Sequence, residues 1–339
     1  AISERRNAMS KEFVRRDILK MGMGAAACAA VGVLGATSPA EAGTPGDLVL
    51  RVGIITDMHK TTKADSDTRK YSASLDKMKA FMDKMKDMKP AFLIELGDFV
   101  DTLAPGTDPA ANLKEIETLF TSFAGPTYHV LGNHHFDNLQ RDQFLSAITN
   151  TGIPQGQTWY SWDADGVHCI VLDADYTPGN FRPYDMNTPE DTFWTWVDTC
   201  IPPQELEWLK EDLRNTALPV LVFTHQTLDR VDDQDHNIKN ASAVRALLEE
   251  SGRVLAVISG HDHQGGYANI KGIHYLVLNG NVGVNDSRPW SATSAADGMD
   301  READNQFAVL EVRRAGDGKY LLGVTGYGRQ PGYVLERSL

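Results

Sequence analysis

The chain is poor in cysteine, in positive charge and in long apolar runs. Its 339 residues include 3 cysteines, too few for a disulfide framework. Cys28 lies near the N-terminus, Cys169 within the apolar run Val167–Leu172, and Cys200 just before Pro202-Pro203. A single bridge between Cys169 and Cys200 is left open, beside the simpler reading of Cys169 as a small buried hydrophobe. Lys and Arg number 33 against 46 Asp and Glu, a net charge of −13. Such an acidic surface repels polynucleotides and anionic lipid, which excludes a nucleic-acid polymer as the expected partner. No stretch reaches the roughly 20 apolar residues of a spanning helix. No Ser or Cys stands in a conspicuous nucleophile motif.

The apolar or small, uncharged run Met21–Leu34 follows the basic stretch Val14–Lys20 with its Arg15-Arg16 pair, and precedes Ala40-Glu41-Ala42. Twin arginines, a weakly apolar Ala/Gly core and a small-x-small site form the pattern of a twin-arginine signal peptide. Residues 1–42 are therefore expected to be an export signal cut after Ala42, leaving 43–339 as one domain. The expected location is periplasmic or secreted. The export machinery is an expected partner, and no stable membrane span should remain after cleavage. An uncut product would stay tethered by Met21–Leu34.

Behind the leader, β-rich runs alternate with stretches of helical period, which predicts an α/β protein. Strands are expected at Leu48–Thr56, Phe92–Leu96, Thr127–Leu131, Thr158–Trp162, Val167–Asp173, Pro219–Thr224 and Val254–Ser259, and in the tail at Ile273–Leu278, Phe307–Arg313 and Tyr320–Val324. Helices are expected at Ser72–Lys86, Asn112–Phe123, Pro203–Asn215 and Ala241–Glu250. Two long irregular stretches interrupt the alternation. Ala174–Ile201 carries Tyr176, Phe181, Tyr184, Phe193, Trp194 and Trp196, and Asn279–Asp304 is polar. Loops of that length in a compact domain are often functional. Trp194 and Trp196 are candidate substrate contacts, against the alternative that the aromatics pack the loop upon itself.

The chemistry sits where the apolar runs stop. Asp57-x-His59, Gly97-Asp98, Gly132-Asn133-His134, Thr224-His225 and Gly260-His261-x-His263 each follow a predicted strand. In open α/β sheets, sites form beyond the carboxyl ends of strands, so these segments are expected to meet. Asp57, His59, Asp98, Asn133, His225, His261 and His263 offer imidazole nitrogen and oxygen without thiolate, a set suited to manganese, iron or zinc. It is too large for one ion and suits two that share a carboxylate. Each piece alone is a common surface or core feature; together, in this order, they point to a dinuclear centre.

These blocks, with Gly97-Asp98-x-x-Asp101, resemble the calcineurin-like metallophosphoesterases over nearly all of residues 43–339. The resemblance implies a four-layer α-β-β-α sandwich with two divalent metal ions at the strand ends. It implies that Asp57, His59 and His263 hold one ion, that Asn133, His225 and His261 hold the other, and that Asp98 bridges them. His134 would stand beside the substrate as acid or charge stabiliser. Asp67–Leu75, Gly260–Tyr267 and Gly326–Arg329 are similar to the manganese-dependent ADP-ribose/CDP-alcohol diphosphatases. Two departures stand out. Asn133-His134 is followed by His135 where the superfamily has an acid, which leaves the support of His134 undefined, and His59 stands where eukaryotic diphosphatases carry Gln.

The resulting expectation is a phosphohydrolase that uses a metal-activated hydroxide on a small phosphate ester or anhydride, nucleotide-like in its substrate. The alternatives are a broad phosphomonoesterase that scavenges phosphate, and a non-catalytic metal- or ligand-binding protein on the same fold.

Overall fold

The alternation of inward and outward side chains along each strand separates three apolar layers, and these define the architecture. The computed structural model describes residues 46–66, 68–186, 197–232, 234–283 and 304–339. The leader assigned to residues 1–42, and Trp194 and Trp196, lie outside the described residues. The first half of the chain runs β1 (Asp47–Ile55), α1 (Ser74–Met88), β2 (Phe92–Glu95), α2 (Pro109–Phe120), β3 (Thr127–His129) and α3 (Arg141–Ala147). Next come β4 (Tyr160–Ala164), β5 (Val167–Val171), α4 (Pro203–Asn215), β6 (Val220–Phe223), α5 (Ala241–Ser251) and β7 (Val254–Ser259). The tail adds β8 (Gly266–Ile270), β9 (Ile273–Val277), β10 (Phe307–Gly316), β11 (Lys319–Tyr327) and β12 (Tyr333–Ser338).

The strands form two 6-stranded sheets, ordered β12-β11-β10-β1-β2-β3 and β4-β5-β6-β7-β9-β8. Strands β1, β2 and β3 are mutually parallel in the first sheet, as are β5, β6, β7 and β9 in the second. Leu50, Val52 and Ile54 of β1 face Leu221 and Phe223 of β6 and Leu255 and Ile258 of β7 in the core between the sheets. The opposite face of the first sheet, through Leu93 and Val309, packs on Met78, Phe81 and Met85 of α1 and Leu113, Ile116 and Phe120 of α2. The second sheet buries Val220, Val222 and Val257 against Leu209 and Leu213 of α4 and Val244 and Leu248 of α5. The order is helix, sheet, sheet, helix: the α-β-β-α sandwich. Each fully buried Phe or Leu contributes about 1.5–3 kcal/mol of transfer free energy.

Local chemistry sets the element ends. Asp108 caps α2, accepting from the N–H groups of Ala110 and Ala111 with Pro109 in the first turn, an arrangement worth about 0.5–2 kcal/mol. That cap starts the helix ahead of the expected Asn112. The helix α1 stops at Lys89, which turns left-handed before Pro90. Elements not foreseen are short or lie at edges. The strand β8 half-buries alternate side chains and β12 buries Leu335 alone, so neither writes an apolar run. Cys169 and Cys200 are both buried free thiols. The bridge left open is absent, because Cys169 belongs to the core between the sheets while the Cys200 thiol donates to the Tyr176 carbonyl. Among the described residues, no helix is long and apolar enough to cross a membrane.

Candidate metal centre

The chain reverses direction abruptly as it leaves each parallel strand, and the ligand-type residues sit in those reversals. Asp57, His59, Asp98 and His261 have φ values of 53°, 46°, 52° and 66°. Left-handed backbone at a residue with a side chain costs about 1–3 kcal/mol and persists where the surroundings over-determine it. Here the surroundings are hydrogen bonds between strand ends. The Asp57 N–H donates to the Gly97 carbonyl at 3.0 Å, His59 N–H to Asp98 carbonyl at 2.8 Å, and Gly260 N–H to His225 carbonyl at 3.0 Å. Gly132 lies so close behind Asp98 that a Cβ there would stand 2.4 Å from its backbone nitrogen.

The side chains converge as two clusters joined by Asp98. Asp57, His59 and His263 offer ligand atoms within 4.8 Å of one another, and so do Asp98, His225 and His261. Asp57 Oδ2 accepts from the Thr56 hydroxyl and the His261 N–H, which leaves Oδ1 turned to His263 Nε2 at 3.2 Å. The Nε2 atoms of His59 and His263 face each other at 3.1 Å. Asp98 Oδ1 accepts the His134 N–H at 2.9 Å. Its Oδ2 lies 3.1 Å from His225 Nε2 and 3.7 Å from His59 Nε2, the position of a group shared between the clusters. His225 Nε2 in turn faces His261 Nδ1 at 3.2 Å. Asn133 opens the short 3-10 turn after β3 and is buried.

The outer partners settle which nitrogen faces inward. His59 Nδ1–H donates to Asp101 Oδ2 at 2.9 Å, and His225 Nδ1–H to the Leu96 carbonyl at 2.7 Å. Both rings therefore turn Nε2 to the centre, the carboxylate- and carbonyl-backed arrangement common to metal-ligating histidines. Two imidazole nitrogens facing each other at 3.1–3.2 Å are favourable only with a proton or cation between them. Asp57 Oδ1 and Asn133 Oδ1 are buried without a hydrogen-bond partner, a cost relieved by a ligand. The residues present thus fit a pair of divalent ions.

The electrostatics agree. Burial works against the charged form of Asp57 and Asp98, but the imidazoles around them outweigh it and hold both carboxyls well below the usual carboxylate range. Burial opposes protonation of His225 as well, yet Asp98 and Asp57 push it up to about 10. Burial and the charge on His225 lower His261. A divalent ion on His225 Nε2 would take the place of that proton, which couples metal binding to pH.

His134 stands at the mouth, its ring centroid 4.9 Å from that of His59. Its Nδ1 is engaged by Asp137 Oδ2 at 2.7 Å, with Asp101 Oδ1 at 3.6 Å. The support left undefined by His135 thus comes from Asp137 and Asp101. His135 itself turns into the core, stacks on Phe144 with centroids 4.0 Å apart, and accepts the Phe99 N–H at Nε2. Asp137, three residues after His134, was not singled out from the sequence; only that spacing on a turn marked it. In the described part of loop 174–201, Tyr184 is buried in the outer core and Tyr176 lies under the Arg141 guanidinium, while Phe181 is exposed.

The chain is 26% identical over 217 residues, 55% of its length and 70% of the relative's, to a manganese-dependent ADP-ribose/CDP-alcohol diphosphatase of Arabidopsis thaliana. Its fold is similar to a dimetal phosphatase from Danio rerio, with a TM-score of 0.66 at 19% identity, covering 86% of this chain and 100% of that one. A purple acid phosphatase from yellow lupin seeds, Lupinus luteus, shares the fold at a TM-score of 0.55 and 14% identity, over 86% and 54% of the two chains. Residues 50–265 match the family model described as Calcineurin-like phosphoesterase, and the chain accordingly belongs to that family, as a hydrolase of phosphoester or phosphoanhydride bonds.

Proposed function

We propose that this protein is an exported, manganese-dependent phosphohydrolase acting on nucleotide-like phosphoanhydrides or phosphodiesters. The observation that carries the reading is the shared position of Asp98 between the Asp57/His59/His263 and His225/His261 clusters. In this reading Asp57, His59 and His263 hold one divalent ion, Asn133, His225 and His261 the other, and Asp98 both. Two such ions, when bound, polarise a phosphoryl oxygen and lower the pKa of water toward neutrality. The chain's own part is orientation and proton handling. Asp101 holds the His59 ring and Leu96 the His225 ring in the tautomers that face inward. Asp137 occupies His134 Nδ1, so His134 turns Nε2 toward the substrate, to steady charge on the phosphoryl oxygens and pass a proton to the leaving oxygen.

The substrate class rests on the similarity to the Arabidopsis diphosphatase. One observation favours the alternative of a broad phosphomonoesterase: of the loop's described aromatics, Tyr176 and Tyr184 are committed to internal packing, and Phe181 alone is exposed. Turnover of ADP-ribose, a CDP-alcohol and p-nitrophenyl phosphate with added Mn²⁺ separates the two. A preference of kcat/KM for the monoester would overturn the diphosphatase reading, and no turnover of any would favour a binding protein.

Export rests on Arg15-Arg16, the Ala/Gly-rich stretch and Ala40-x-Ala42. A site of imidazole and oxygen binds Cu²⁺ and Zn²⁺ ahead of Mn²⁺, so folding and loading before export lets the cell choose the ion. Replacing Arg15 and Arg16 with Lys should retain the protein in the cytoplasm. A product still exported and cut near Ala42 would show a general secretory route.

A further inference from the structure

Glu95 closes β2 and His129 closes β3, and the two are partners in the parallel register. Both side chains are buried, on the face of the sheet covered by α2. His129 Nδ1–H donates to Glu95 Oε1 at 2.8 Å, and its Nε2 lies 3.1 Å from Glu117 Oε2 on α2. The rings of Phe99 and Phe120 stand edge-on to the imidazole, with centroids 5.4 and 5.1 Å away. Burial opposes the imidazolium, but the flanking carboxylates raise His129 to about 10. A buried carboxylate–imidazolium–carboxylate row adds little net stability over well-packed apolar residues. Its consequence lies in what the second oxygen of Glu95 holds.

That oxygen, Oε2, accepts the N–H of Gly97 at 2.9 Å. Gly97 and Asp98 have φ values of +103° and +52°, consecutive left-handed residues that form the sharp turn projecting the Asp98 carboxylate. The same turn carries the neighbouring loop, because the Gly97 and Asp98 carbonyls accept from Asp57 and His59. We infer that Glu95, oriented by His129, is a positioning residue of the metal centre: it fixes the Gly97–Asp98 turn and through it the mutual placement of Asp57, His59 and Asp98. The inference rests on the reading that these residues hold divalent ions. It assigns Glu95 no contact with ion or substrate.

The test separates reach from charge. Glu95→Asp keeps the charge but shortens the arm by about 1.5 Å and cannot span to Gly97. Glu95→Gln keeps the reach, its carbonyl accepting from Gly97 while its amide donates to a neutral His129. Mn²⁺ binding to the full-length protein is titrated calorimetrically, and the melting temperature of the metal-free protein is recorded beside it. Glu95→Asp should weaken Mn²⁺ binding by about 10–100-fold, with Glu95→Gln within about threefold of wild type. Glu117→Gln, which leaves the Gly97 bond intact, should lower the melting temperature without changing Mn²⁺ affinity. The reverse order, Asp tolerated and Gln not, would show a purely electrostatic role and overturn the proposal. So would weakened Mn²⁺ binding in folded Glu95→Gln, should Glu95→Asp fail to fold. Wild-type protein that bound no Mn²⁺ would overturn the metal reading itself, whichever way the variants behaved.

Discussion

Replacing Gly132 with alanine adds a single methyl group behind the shared carboxylate, and the geometry states what it must do. Gly132 has φ −131° and ψ 155°, extended values that alanine adopts without strain. Through the unfolded chain alone, the substitution would stabilise by about 0.4–1 kcal/mol. The new Cβ, however, stands 2.4 Å from Asp98 N and 2.5 Å from Asp98 Oδ1, where ordinary contact begins at 3.4 Å. Neither neighbour is a flexible tip, since the nitrogen is backbone in the left-handed turn and Oδ1 is held by the His134 N–H. The turn must therefore yield by about 1 Å, an overpacking cost of about 1–3 kcal/mol. A misplacement of that size at a reacting centre costs on the order of 10²-fold in turnover. Gly132→Ala should fold with a modestly lowered melting temperature while kcat/KM for p-nitrophenyl phosphate falls on the order of 10²-fold. Bound Mn²⁺, measured by elemental analysis after dialysis, should fall below the wild-type ratio. Wild-type metal content together with wild-type turnover would refute the claim that Asp98 is pinned where the centre needs it.

Asp98→Asn removes the charge shared by both clusters and should lower metal content at both sites; loss confined to a single ion would show that Asp98 serves one cluster only. His134→Ala should leave metal content unchanged and lower kcat by about 10²–10⁴-fold, less so for substrates with good leaving groups; a large loss of metal would move His134 into the ligand set. Far from the centre, His168 lies between Asp163 Oδ1 at 2.6 Å and Asp212 Oδ2 at 2.9 Å; burial opposes its charge, but the two carboxylates raise it. A raised folded value contributes stability below the unfolded pKa of about 6.5, lost as pH climbs through the folded value. The melting temperature of the metal-free protein, wild type minus His168→Gln, should therefore shrink as pH rises above about 6.5; a difference that grows with pH would contradict the pairing.

Much of the centre was legible before any coordinates, because a parallel strand that ends in a polar reversal leaves a local mark. An apolar run stops, and an Asp, Asn or His follows within a residue or two, often behind a glycine. The edge strands β8 and β12 and the short helix α3 left weaker marks, since half-exposed edges and brief helices write no clean period. Asp137 was invisible for a different reason. A carboxylate three residues beyond a histidine is common on any turn, and only the 3-10 conformation of Asn133–Phe136 brings it under the His134 ring.

The linear chain determined by itself the chemical type of the centre, imidazole and oxygen without thiolate, and the strand ends from which its groups arise. It did so because burial, strand period and ligand chemistry are local properties of short segments. What only the tertiary structure decided is everything that depends on packing across sheets. It decided that Asp98 lies between two clusters drawn from both sheets. It decided that Asp101 and Leu96 select the tautomers of His59 and His225, that His135 points into the core and Asp137 takes its place behind His134, and that Glu95 and His129 lie side by side beneath the Gly97–Asp98 turn. Those relations join residues more than 200 positions apart, and no periodicity within one segment carries information about the face of another that will lie against it.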